Sequence, residues 1–152
     1  MFIIHFKLHK RALLAAAAIL VLALALIFLV NRCGQDPADP IEAGTPELRI
    51  AYLEQLGWQV DVSPVETLDL QLPKPLNDEW QAYAKLQSQQ GLPFDQFAGQ
   101  QVKRYTYTVN NYPGIEKGVQ INLYVSGSQL IGGDVIVLGS DGFQAGLAFP
   151  KQ

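Results

Sequence analysis

The sequence predicts an α+β domain: two helices packed on one face of a mainly antiparallel sheet of four to six strands. Three observations carry that prediction. Two stretches place apolar side chains at helical spacing behind a capping residue, one opened by Thr45 and stopped by Gly57, the other opened by Asn77 and stopped by Gly91. The carboxy-terminal third alternates apolar and polar residues between glycine-rich turns. Strand-like segments also separate the two helices, so the order is helix, strand, strand, helix, then a meander.

Ahead of the domain, residues 1–11 carry Lys7, Lys10 and Arg11, and residues 12–30 contain no polar side chain and no proline. A 19-residue apolar run, helical at 1.5 Å per residue, spans about 28 Å, close to the hydrocarbon thickness of a bilayer. The basic flank precedes the run, and Asp36, Asp39 and Glu42 follow it. The positive-inside rule therefore puts the amino terminus in the cytoplasm and the domain outside. Neither Val30-Asn31-Arg32 nor Arg32-Cys33-Gly34 makes a small-x-small cleavage site, so the run is expected to stay as a single-pass anchor. Residues 31–45, with Gly34, Pro37, Pro40 and Gly44 among acids, have the composition of a linker. The outer domain is then residues 46–152.

Within it, Thr45-Pro46-Glu47 supplies an N-cap, a proline at the first helical position and an acid in the first turn. Leu48, Tyr52, Leu53 and Leu56 form its expected inner side. Trp58, Val60 and Val62 alternate as a strand, and Leu68, Leu70 and Leu72 as an edge strand ended by Pro73. The second helix turns Trp80, Tyr83, Ala84 and Gln87 inward, and Phe94 to Phe97 allows one short helical turn. Strands are expected over 102–109, 119–125, 129–138 and 143–149.

Three segments, Ala51-Tyr52-Leu53-Glu54-Gln55-Leu56-Gly57-Trp58-Gln59-Val60, Gln101-Val102-Lys103-Arg104-Tyr105-Thr106-Tyr107 and Leu130-Ile131-Gly132-Gly133-Asp134-Val135, together with Asp141-Gly142-Phe143, give the chain a recognisable pattern. It resembles an uncharacterised family of small Gram-positive bacterial proteins. The resemblance implies a single membrane pass and an extracytoplasmic domain of unknown function, and it brings no activity, substrate or site residue.

Composition narrows the chemistry. After residue 30 there are 8 basic and 14 acidic residues, a net of −6, which argues against nucleic acid as a partner. Both histidines, His5 and His9, precede the apolar run, so the outer domain has no histidine base or histidine metal ligand. Cys33 has no second cysteine to pair with in the chain. No catalytic, metal or cofactor residue is assigned. A hydrolase would need a Ser-Lys pair drawn from Ser63, Ser126 or Ser140 with Lys74 or Lys103, or two carboxylates, and all these groups sit where turns or helix starts already explain them.

Strand parity isolates one constellation. If the helices cover the face of Tyr105, Tyr107, Ile121 and Leu123, the opposite face carries Arg104, Tyr124, Asp134 and Ile136, with Leu130, Thr106, Thr108 and Asn122 around them. An aromatic, an arginine, a carboxylate and an aliphatic together suit protein contact. The face is expected to be open and shallow; the alternative reading is an ordinary solvated face with an Arg104-Asp134 pair worth little. The expected function is a non-catalytic, membrane-anchored binding module of the cell envelope, its partner an envelope protein or peptide. An envelope hydrolase and a structural subunit of a membrane complex are the alternatives.

Overall fold

The computed structural model describes residues 39–139 and 141–151. The predicted tail, the apolar run 12–30, Cys33 and Ser140 lie outside them. Among the described residues no helix is long and apolar enough to cross a membrane.

Two helices and a five-stranded antiparallel sheet make up the α+β domain. Helix α1 is Pro46–Gln55 and strand β1 is Glu66–Gln71. Helix α2 (Asp78–Gln89) and a short 3-10 turn (Phe94–Phe97) follow. Strands β2 (Gln101–Thr108), β3 (Val119–Ser126), β4 (Gln129–Val137) and β5 (Phe143–Ala145) close the chain, and the sheet runs β1-β2-β3-β4-β5. Strand β1 is the edge that its prolines suggest. The Thr45 hydroxyl accepts from the Leu48 amide, and Asn77 Oδ1 accepts from the Trp80 amide, so both predicted caps form. Gly57, at φ 96°, ends α1 in a conformation that other residues avoid.

The helices divide between the two faces of the sheet, where the sequence places both on one. Across the sheet Tyr107, Ile121 and Val135 are register partners, as are Thr106, Asn122 and Asp134 one residue away. Adjacent residues of a strand point to opposite faces. Helix α1 packs on the first row: Leu53 joins Tyr107, Ile121, Leu123 and Val135 in one core. Helix α2 packs on the second: Tyr83 and Phe94 join Val102, Tyr124 and Ile131 in another. Both faces are apolar enough to need a cover, and each receives one helix.

Four local expectations change. Leu53, Tyr52 and Leu56 pack on the core as expected, but Arg49 of α1 is buried with Leu53, while Leu48 faces solvent. The Arg49 guanidinium lies 3.6 Å from the Tyr105 ring centroid; its Nε donates to the Tyr107 hydroxyl at 2.9 Å, and Nη1 donates to the Ala43 carbonyl at 2.9 Å. The Trp58–Val62 stretch makes one bridge, Val60 to Val109, and no strand. Beyond that bridge one loop asparagine takes the place of a ladder: Gln59 N donates to Asn111 Oδ1, and Asn111 Nδ2 donates to the Gly57 carbonyl. Trp58 is nonetheless buried, against Phe149 and Tyr112, with its indole N–H on the Leu147 carbonyl at 2.7 Å. Residues 41–43, linker by composition, belong to the domain, since Glu42 bridges Gln129 and Ala43 is buried in the first core.

The last change concerns β4 and β5. Tyr124 pairs with Gly132 but Val125 pairs with Leu130, so Ile131 is an extra residue that bulges. The bulge reverses parity, sending Leu130 to the α1 side and Ile131 to the α2 side. Strand β5 stops at Ala145 and pairs only with Val135, Ile136 and Val137. Beyond it, Gly133 N donates to Gln87 Oε1 at 2.8 Å, Gln90 Nε2 donates to the Gly133 carbonyl at 3.0 Å, and Leu147 N donates to Gln90 Oε1.

Candidate binding groove

Helix α2 does not cover its face of the sheet completely. Its residues Glu79, Ala82, Tyr83 and Leu86, at helical spacing, form one wall of a groove of about 540 Å3. Trp80 closes the end nearest the helix start, and Arg104, Asn122, Tyr124, Ile136 and Gln144 make the sheet wall, drawn from β2, β3, β4 and β5. The groove thus runs across the strands. With neighbouring strands about 4.8 Å apart, the three intervals from β2 to β5 give it a length of about 14 Å.

Asp134 sits beneath this sheet wall and holds it in place. It is fully buried, and its two oxygens take three donors. The Tyr83 hydroxyl donates to Oδ1 at 2.7 Å, while Asn122 Nδ2 at 3.3 Å and Gln144 Nε2 at 3.0 Å donate to Oδ2. Asn122 in turn accepts from the Thr106 hydroxyl at 2.7 Å. Burial raises the Asp134 carboxyl above its ordinary value, and the hydrogen bonds from Gln144, Tyr83 and Asn122 oppose that rise. Tyr83 is raised well above the usual phenol value, first by burial and then by the neighbouring Asp134 charge. Tyr124 is raised by the same two causes in the same order. Both phenols therefore stay neutral.

Aromatic rings line the groove at right angles. Trp80 meets Tyr83 at 5.7 Å and 88°, and meets Tyr124 at 6.1 Å and 88°. Phe94 stacks beneath Trp80 at 5.5 Å and 20°, which fixes the indole.

The structure brings together all four residues that parity picks out, in a setting different from the one expected. Arg104, Tyr124 and Ile136 line the groove, and Asp134 lies below it. The face is not open, because α2 covers it: Tyr124 and Asp134 are core residues and the remaining surface is concave. The Arg104-Asp134 pair of the alternative reading does not form. Arg104 pairs with Glu66 on the neighbouring strand β1. Burial works to lower its pKa, but the hydrogen bonds to Glu66 and Tyr124 outweigh it and raise the value overall. Trp80 and Tyr83 were legible only as inner residues of α2, and their inward aromatic spacing is the signal that a second face needed covering. Glu79, Leu86 and Gln144 carry no signal in the sequence.

Other chemistry is thin. Among the described residues no group of three or more histidine, cysteine, aspartate or glutamate side chains is placed to hold a metal ion. Lys103, a candidate partner for a serine, is engaged with Asp69 at 3.4 Å. A second, smaller cavity of about 260 Å3 lies beside β1 and β2, lined by Asp69, Gln101, Lys103 and Tyr105 with Val125. It has a single aromatic ring and its charges are paired.

A family model described as a domain of unknown function (DUF4830) matches residues 52–135. That span runs from the middle of α1 into β4 and includes every groove residue except Ile136 and Gln144. No curated protein and no solved structure matches the chain.

Proposed function

The chain belongs to the DUF4830 family of domains of unknown function, and from that premise we propose that it is a non-catalytic binding module of a Gram-positive cell envelope. Residues 12–30 anchor it, the domain stands outside, and the groove between α2 and the sheet holds a short segment of an envelope protein or peptide. The observation that carries this reading is the groove itself. Its volume of about 540 Å3 falls in the range of ligand sites. Its lining of Trp80, Tyr83, Tyr124 and Arg104 is the residue mixture that dominates binding energy at interfaces. A groove about 14 Å long accommodates about four residues of extended chain.

A buried carboxyl with a raised pKa beside a groove also suits acid catalysis. Asp134 argues for binding instead, since its oxygens are consumed by three donors and none of its surface is exposed. The anchor rests on the sequence: an apolar run of spanning length between a basic and an acidic flank.

A photo-reactive amino acid at Ala82, on the groove lip, tests the reading in cells that make the full chain. Adducts are expected from position 82 and not from Ser88, an exposed residue of the same helix that does not line the groove, and Ile136→Arg should abolish them. Equal adducts from both positions, or none, would overturn the groove assignment. Protease added to intact protoplasts should remove the domain, and protection of the domain would overturn the topology.

A further inference from the structure

The two edges of the sheet are treated differently. Along the outer side of β4, residues 41–43 bond to Ser128 and Leu130, the Gln90 side chain bonds to Gly133, and β5 pairs with Val135, Ile136 and Val137. At the opposite edge lies β1. Leu72 N donates to the Gln100 carbonyl at 3.0 Å, which sets the alternation along the strand. Glu66, Leu68 and Leu70 turn their backbone groups to β2, whereas Thr67, Asp69 and Gln71 turn theirs away from it. Among the described residues no backbone group pairs with those three amides and carbonyls.

An open edge is commonly protected by charge or by a proline within the strand. Strand β1 has neither protection. Its sequence, Glu66–Gln71, contains no proline. Both of its acids are neutralised from β2, Asp69 by Lys103 at 3.4 Å and Glu66 by Arg104. Leu68 stands exposed between them, and the exposed Val62 and Val65 lead into the strand.

We propose that this edge takes β1 of a second copy of the chain, antiparallel and centred on Leu68, so that two sheets join into one. The strand complements itself in that register. Leu68 faces the partner's Leu68, Thr67 faces the partner's Asp69, and Glu66 faces the partner's Leu70, so no like charges stand opposite each other. Thr67 and Asp69 carry the outward backbone groups, and each Thr67–Asp69 pair therefore exchanges both ladder bonds. The threonine hydroxyl also has a carboxylate to donate to. Centring on Asp69 instead would set that carboxylate against its own copy, and centring on Thr67 would set Glu66 against an exposed leucine.

Disulfide trapping in membranes of cells that make the full chain tests the proposal. Cys33→Ser first removes the native thiol, the one cysteine in the sequence. In the proposed register the two Leu68 Cα atoms lie about 4.5 Å apart, within disulfide reach, and the two Gln71 Cα atoms about 20 Å apart. On oxidation with copper phenanthroline, Leu68→Cys should give about tenfold more product at twice the mass of the chain than Gln71→Cys, an exposed position on the same strand. Asp69→Pro removes an outward N–H that β2 does not use, a change that an edge strand tolerates, and should lower the Leu68→Cys product about tenfold. Equal product from positions 68 and 71, or none from 68, would overturn the pairing. Product from 68 that persists with Asp69→Pro would mean collision without strand addition, and a mixed disulfide with a different protein in place of the dimer would give the edge to a foreign strand; either result overturns the proposal.

Discussion

The Tyr83 hydroxyl and the Asp134 carboxylate meet at 2.7 Å, tying α2 to the middle of β4 across 51 positions of sequence. Tyr83→Phe removes that donor from a buried carboxylate. Leaving a buried acceptor short of a partner costs about 1–3 kcal/mol, and urea unfolding should show a loss of that size. A variant as stable as the parent would mean that water replaces the phenol.

Stability should depend on pH through the same carboxyl. Burial raises Asp134 above its ordinary 3.8, so between that value and its folded value the native chain keeps a proton that the unfolded chain has released. The stability this gives is fully present below 3.8 and is lost as pH rises through the folded value. Asp134→Asn cannot titrate. Urea midpoints from about pH 3 to pH 7 should therefore show the parent losing ground to the asparagine variant as pH rises. A constant difference between the two would contradict a raised carboxyl.

Arg49 is the polar residue on which the other face depends. It stacks on Tyr105 and donates to the Tyr107 hydroxyl and to the carbonyls of Ala43 and Gly44. Arg49→Leu leaves two carbonyls without that donor and should cost about 3 kcal/mol. Arg49→Lys should recover less than half, because an ammonium cannot reproduce the flat fork that stacks and donates at once. Thermal unfolding of the two variants ranks them, and equal melting temperatures would refute the role of the fork.

Gly133 has no room for a methyl group. An added Cβ would stand 2.6 Å from Leu147 Cδ1 and 3.0 Å from the Asn122 carbonyl. Gly133→Ala should lose about 1–3 kcal/mol by overpacking. Gly91→Ala serves as a contrast, since nothing lies within 4 Å there and the cost comes from its φ of 74°. If Gly133→Ala were the milder change, β4 would have to shift easily.

Parity of side chains was legible from the alternation in β2 and β3, and it grouped Arg104, Tyr124 and Ile136 correctly. What lies over a face is not encoded in that face alone. Asp134 and Asn122 look like surface residues because their partners, Tyr83 on α2 and Gln144 on β5, come from elements whose placement local spacing does not set. Leu130 was misplaced by a bulge, and paired glycines mark where one occurs without saying which residue is extra. Trp58 shows the converse: its burial followed from size and neighbours, whereas its strand shrinks to one bridge because the Asn111 side chain takes the Gln59 amide and the Gly57 carbonyl.

The Gln90 side chain gives one hydrogen to the Gly133 carbonyl and takes one from the Leu147 amide, as a peptide group of an adjoining strand would. Gly146 makes the space, for a Cβ there would lie 2.8 Å from Gln90 Oε1. Because β5 is only three residues long, β4 would otherwise present bare backbone at Gly133, a template for another chain to add a strand. A primary amide has the same donor and acceptor as the backbone but cannot be extended into a further strand. The sheet is thereby sealed against self-association at this point by a side chain.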